Sequence, residues 1–253
     1  MDTFVHPFVV LVVALATQGL AVWVGALLSK LRPLQEEERS DFDIIRTAAL
    51  TLLGLIIGFT FAMAITRYDQ RKNLEEAEAN AIGTEYARAD LLPSEGAAKV
   101  RELLRKYVDL RIAFYRARSG TELDQINADT GKLQDELWSA VVRAVTPQRS
   151  AVEALAVSGM NDVLNSQGYT QAAWWNRIPV AAWALMGIIA IACNLLFGYG
   201  ARRSGYMSIV LPIIVSTAFL LIADIDSPRA GIIRVSQEDL VAVSRTARPM
   251  QMR

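Results

Sequence analysis

Charge is missing from four long stretches of this chain, and that absence constrains the fold more than any motif does. No Asp, Glu, Lys or Arg occurs in Thr3–Ser29 (27 residues), Thr47–Thr66 (20), Ile178–Ala201 (24) or Ser204–Ala223 (20). A helix rises 1.5 Å per residue, so about 20 apolar residues cross the ~30 Å hydrocarbon core of a bilayer. All 52 charged side chains are left to the rest of the chain. The pattern predicts an all-α, four-span helical membrane protein with a large extramembrane helical bundle. The first run is longer than the apolar core of a cleavable signal and has no basic residues before it, so it reads as a retained span.

These runs set the expected organisation: 1–66 for spans one and two, 67–177 for the extramembrane bundle, 178–223 for a hairpin of spans three and four, and 224–253 for a C-terminal tail packing on the bundle. A Gly198–Gly205 turn should join the hairpin. Trp174 and Trp175 precede span three, where indoles suit the headgroup region. No Pro interrupts Thr47–Leu92, so span two is expected to leave the membrane as one long helix. Beyond it, Arg71–Glu75, Lys72–Glu76 and Glu85–Arg88 fall at helical spacing; such pairs contribute a few tenths of a kcal/mol each, and a solvated face is the expected setting.

Ser94 then caps a helix whose apolar face is Val100, Leu103, Leu104, Tyr107, Leu110 and Phe114. Another helix is predicted over about Glu122–Val145. Thr146-Pro147 opens a further one toward Gly168, and Ser236–Asp239 resembles a capping box for a short last helix.

Composition narrows the function. Basic and acidic residues balance at 26 each and interleave, which excludes a nucleic-acid face, since phosphate binding needs clustered cations. Cys193 is the only cysteine and His6 the only histidine. They leave no nucleophile–base pair or metal-ligand set, so neither an enzyme nor a cofactor or metal site is expected. Orientation is not set by charge. Arg67, Arg71, Lys72, Arg177, Arg229 and Arg234 flank the spans on one side, against Lys30, Arg32, Arg39, Arg46, Arg202 and Arg203 on the other.

Span two carries the features closest to a function. Gly54 and Gly58 form a GxxxG pair suited to close helix packing in lipid. Thr51, Leu55 and Phe59, at i, i+4 and i+8, make one stripe. In an oligomer such a stripe can line an apolar constriction; in a monomer it serves packing or faces lipid. Asp224 and Asp226, at the end of span four, are candidates for ion pairs with Arg67, Arg71 or Arg229. Gln18, deep in span one, should hydrogen-bond to a neighbouring helix.

Gly58-Phe59 followed by Arg67-Tyr68-Asp69-Gln70-Arg71 resembles the second-span signature of the bestrophins. The run Gly54–Leu92, with Ala223-Asp224-Ile225-Asp226-Ser227-Pro228-Arg229-Ala230-Gly231, is closer still to the bacterial bestrophin-like domain proteins, a likeness that covers most of the chain. The resemblance implies a pentameric ion channel in the bacterial inner membrane, with the bundle and both termini cytosolic. Its partners would be the lipid bilayer, other copies of the chain and inorganic ions. By position, the neck would be Thr51, Leu55 and Phe59, with Thr51 standing where the family places a bulkier apolar residue. Bestrophins bind calcium near an acidic cluster after the last span. Here only Asp224 and Asp226 stand there, short of the six to eight oxygens calcium takes, so no calcium site is expected. The alternative reading is a membrane-anchored helical interaction or sensor protein without a pore.

Overall fold

The computed structural model describes residues 6–145, 151–201 and 207–247, and among them the chain is helical with no strand. The helices are α1 (Pro7–Leu31), α2 (Arg39–Arg88), α3 (Ser94–Arg116), α4 (Gly120–Val145), α5 (Glu153–Trp175), α6 (Val180–Gly200), α7 (Met207–Asp226) and α8 (Glu238–Ala247). Four helical stretches are long and apolar enough to cross a membrane. Of the charge-free runs they hold Pro7–Ser29, Thr47–Thr66, Ile178–Gly200 and Ser208–Ala223.

Several boundaries differ from those the sequence suggests. Helix α2 begins at Arg39, ahead of Thr47, and a 3-10 turn at Glu36–Glu38 leads into it; acidic residues there favour the positive end of a long helix. Helix α6 runs through Gly198-Tyr199-Gly200, so those glycines are helical, and the rest of the expected turn, from Arg202 on, lies outside the described residues. Pro93 occupies the cap position of α3 and Ser94 is its first helical residue, with no side-chain cap bond. Helix α5 continues past Gly168 to Trp175, while its expected start at Thr146-Pro147 also lies outside the described residues.

The chain forms two compact units. The first holds residues 6–68 and 177–234: α1, the earlier part of α2, α6 and α7. Its core comprises Ala14, Leu53, Ala64, Met186, Ala190, Cys193, Val215, Phe219 and Ile222. Large apolar side chains such as Val12, Ile188 and Ile214 cover its outside, as lipid exposure requires. Helices α1 and α6 cross at two glycines. A Cβ on Gly25 would strike the Leu195 carbonyl oxygen, and one on Gly198 the Val22 carbonyl oxygen. Small residues let backbones approach this closely where lipid supplies no hydrophobic drive between helices.

The second unit holds residues 69–176 and 235–247: the later part of α2 with α3, α4, α5 and α8. Val100, Leu103, Leu104, Tyr107 and Phe114 of α3, Leu137 and Val141 of α4, Met160 and Val163 of α5 and Leu240 of α8 are buried in it. Trp174 is buried here too, edge-on to Phe114 (5.2 Å) and Tyr115 (5.3 Å), while Trp175 is exposed. The expected solvated face of α2 holds for Lys72 and Glu76, which are exposed, and is corrected for Arg71, Glu75 and Glu85. Arg71, Glu75, Glu78, Ile82, Glu85 and Ala89 are all buried, on one stripe of alternating four- and three-residue steps. Helical pairing of charges on a surface and a charged stripe turned inward share the same spacing, so the sequence reads either way.

Candidate functional site

The charge-free part of α2 has two unlike faces. Leu53 (2% exposed) and Ala64 (0%) point into the core of the first unit. On the other side Leu55 (52%) and Phe59 (63%) are exposed, with Thr51 on the same stripe. Ile44, Leu52 and Met63 extend that apolar surface. After Thr66 the exposed positions of α2 change chemistry, to Asp69, Gln70, Asn73, Glu76 and Asn80. The Thr51 hydroxyl donates to the Thr47 carbonyl oxygen at 2.9 Å, so its proton stays with the helix and only its oxygen lone pairs are offered outward.

Gly54 and Gly58 are exposed, and a Cβ at either would meet nothing within 4 Å. Within one chain they bring no helices together; Gly25 and Gly198 do that. Those two are missed by a search for paired glycines, because each stands alone on its own helix and the close approach exists only between them.

The charged candidates cluster after α7. Both oxygens of Asp224 accept backbone N–H groups, from Ile232 at 2.7 Å and Ile233 at 2.8 Å. Asp226 accepts the Ile178 N–H at 3.1 and 3.2 Å, just ahead of α6. Gly231 is tied to this loop, since a Cβ there would strike the Asp224 carbonyl oxygen. The Arg67 guanidinium lies 3.7 Å from the Met63 sulfur. Arg229 is buried in the first unit and Arg71 in the second. Among the described residues, no group of three or more His, Cys, Asp or Glu side chains could hold a metal ion.

The second unit holds a charged centre that the sequence reading misses. Glu78 and Arg111 are fully buried and ion-paired through Nε and Oε1, with Arg111 Nη2 reaching Oε2 at 3.4 Å. Thr170 (3.1 Å) and Tyr115 (3.4 Å) also donate to Glu78 Oε2. Burial works against the Arg111 charge, but the Glu78 carboxylate more than offsets it and holds the guanidinium above its ordinary value. Nearby, Glu75 accepts the Leu240 N–H in the first turn of α8 at 3.1 Å. Burial raises Glu75 to about 7 and Glu85 to about 8. Both Glu85 oxygens lack a hydrogen-bond partner.

Four apolar spans of helix together with a charged-core helical bundle define a four-span, all-helical membrane protein. The family model for the Bestrophin-like domain matches residues 45–240, and the chain belongs to that family. Its fold is similar to crystal structures of a bacterial bestrophin homologue from Klebsiella pneumoniae. One, carrying a single substitution, superposes with a TM-score of 0.67 at 12% identity, covering 94% of this chain and 97% of that one. Another, phased on zinc, gives 0.65 at 12% identity, covering 95% and 96%. The crystal structure of a membrane protein carrying a Leu-to-Ala substitution also matches, with a TM-score of 0.66 at 11% identity over 93% of this chain and 97% of that one. No curated protein matches.

Proposed function

We propose that this chain is one subunit of a homo-oligomeric membrane ion channel, with the pentamer favoured and α2 surrounding the pore. The observation that carries the reading is the outward stripe of Thr51, Leu55 and Phe59 on a helix whose opposite face is fully packed. Around a symmetry axis, each of these positions becomes a ring. Rings of Leu55 and Phe59 make a constriction that conducts or dewets according to its width. The Thr51 ring offers oxygen atoms to ions, so that end of the neck is the wetter one. Gly54 and Gly58, open within the chain, fit contact between neighbouring α2 helices. Family membership supports the reading and supplies the expected setting, the bacterial inner membrane with the bundle and both termini cytosolic.

The test has two stages. Light scattering with the lipid contribution subtracted should give the mass of five 27.8 kDa chains. Liposome flux should then rise in Phe59→Ala and Leu55→Ala, because smaller side chains widen an apolar neck. A stable monomer or dimer would remove the symmetric pore and leave a membrane-anchored helical interaction protein. An oligomer whose flux ignores both substitutions would keep the assembly and displace the neck.

A further inference from the structure

The first unit contains a cavity of about 470 Å³ between α1, α6 and α7, walled by Gly19, Trp23, Ala26, Lys30, Ser208 and Pro212 among others. Its volume falls within the range of small-molecule sites. The local sequence explains why it is there. Gly25 and Gly198 hold α1 and α6 in backbone contact, while Gly19 and Ala26 on α1 carry almost no side chain to fill the adjoining space. On the third wall Pro212 lies inside α7. Proline has no N–H for the preceding turn and its ring crowds the carbonyl four residues back, so the helix surface here carries no backbone donor at Pro212. A Cβ on Gly19 would meet nothing within 4 Å.

The charges of this cavity are one-sided. Among the described residues no Asp or Glu lines it. Lys30 sits at its end, at the first charged position after the apolar run of α1, exposed and without a carboxylate partner among the described residues. The nearby Glu38 instead approaches Arg32, at 4.0 Å. Between Gly19 and Lys30 the helix rises about 16 Å. The surface is therefore a trough walled by Val22, Ala26, Leu27 and Ile209, with Ser29 and Ser208 as polar wall positions and Lys30 as its cation among the described residues, at the depth where Lys reaches the membrane interface. Trp23 (62% exposed) flanks the trough on the same helix.

We propose that this cavity is a binding site for an anionic glycerophospholipid, with an acyl chain lying along Gly19–Ala26 and the phosphate held by Lys30. A hydrocarbon chain is complementary to the apolar wall, and a net negative headgroup to an unpaired ammonium. A zwitterionic headgroup brings its own cation and gains less. The site is separate from the outward stripe of α2, so it stands or falls independently of channel activity.

The full chain, purified in mild detergent, would be given equal amounts of phosphatidylglycerol and phosphatidylcholine of matched chains, and native mass spectrometry would count bound lipids per subunit. The expected preference for phosphatidylglycerol is about fivefold, the value of one interfacial cation acting on an anionic headgroup. Lys30→Gln should abolish the preference and Lys30→Arg should keep it. Gly19→Leu should displace both lipids, because its side chain enters the empty space without meeting backbone. An unchanged preference in Lys30→Gln overturns the phosphate contact. An unchanged lipid count in Gly19→Leu removes the acyl chain from the cavity. A changed oligomer mass in Gly19→Leu, read from the same spectra, would make the trough a contact between subunits instead.

Discussion

The two units differ in the polar groups they bury between their helices, although the first also buries Asp224, Asp226 and Arg229 at and just beyond the end of α7. In the first, polar contacts inside the apolar spans are neutral. Gln18 donates to Ser216 at 3.2 Å and accepts from Asn194 at 3.0 Å, joining α1, α7 and α6. Small residues rather than side-chain mass draw its helices together at Gly25 and Gly198. In the second, the centre is a fully buried Glu78–Arg111 pair, with the Arg111 guanidinium carbon 4.4 Å above the Phe114 ring. The surroundings explain the contrast. A helix in lipid gains nothing by hiding apolar surface from other hydrocarbon, so packing comes from close approach and a few hydrogen bonds, and charge inside a span is expensive. A bundle in water gains about 25 cal/mol for each Å² of apolar area it hides. That surplus tolerates an ion pair whose desolvation alone would not be offset.

The largest expected effect is in the second unit. Arg111→Met should destabilise it by about 3–5 kcal/mol, because Glu78 is left buried without its ion-pair partner, while Glu78→Leu with Arg111→Met should recover most of that loss. Helicity followed by circular dichroism during denaturant unfolding would measure both; a double variant as unstable as the single would mean the pair does not act as a unit. In the first unit the corresponding lesion is steric. Gly198→Leu drives a side chain into the Val22 backbone and should cost about 1–3 kcal/mol, whereas Gly54→Ala, with open space around it, should leave the stability of the subunit unchanged. Equal losses in the two would show that α1 and α6 do not depend on the glycine crossing.

A third expectation concerns pH and touches only the second unit. Burial lifts Glu85 to about 8 and Glu75 to about 7, above the ordinary 4.5. Between pH 4.5 and about 8 the folded state keeps protons that the unfolded chain has released. Stability from these groups is therefore complete below pH 4.5 and is lost as pH rises through 7 and 8. Around Glu85 the charged neighbours are Arg88, which favours ionisation, and Asp162, which opposes it. Glu85→Gln should match the wild type near pH 4 and exceed it above pH 8 by about 1–3 kcal/mol, the cost of a buried group left without partners. Melting temperatures at pH 4, 6 and 9 would show it. A variant with the wild-type pH slope would place the titration elsewhere.

How much of this could be read beforehand depends on which solvent a segment meets. Span positions were legible because the bilayer demands a run of apolar residues of a given length, and Thr47–Thr66 or Ile178–Ala201 satisfies that demand without any knowledge of neighbours. The apolar face of α3 was legible for a similar reason, since its period alone identifies the buried side. The Thr51, Leu55 and Phe59 stripe could be drawn from spacing, but spacing is silent on which face of an all-apolar helix turns inward; only the packing of Leu53 and Ala64 distinguishes the two. The charged stripe of α2 was misread because burial of Arg71, Glu75, Glu78 and Glu85 depends on partners distant in sequence, Arg111 and Leu240 among them. At Asp224 and Asp226 the side-chain charge is visible in a sequence, while the backbone N–H groups of Ile232, Ile233 and Ile178 that donate to them are not.

The smallest expected effect tests the contrast between the units most directly, since it removes the polar centre of the first. Asn194 is fully buried, donating to Gln18 at 3.0 Å and to the Ala190 carbonyl at 2.8 Å, and its Oδ1 has no hydrogen-bond partner. Asn194→Leu would give up the bond to Gln18 and the one to its own helix at Ala190, and interhelical bonds average about 0.6 kcal/mol within membranes. It would also remove an oxygen buried without a partner, a burden of about 1–3 kcal/mol where nothing compensates it. Gln18 would still donate to Ser216, so only its own oxygen would lose a partner. These terms oppose each other, and the net change should stay within about 1 kcal/mol of zero, read as the midpoint of unfolding from mild into denaturing detergent. A loss as large as that of Arg111→Met would mean that neutral polar contacts govern the first unit as firmly as the ion pair governs the second, and the contrast between the units would disappear.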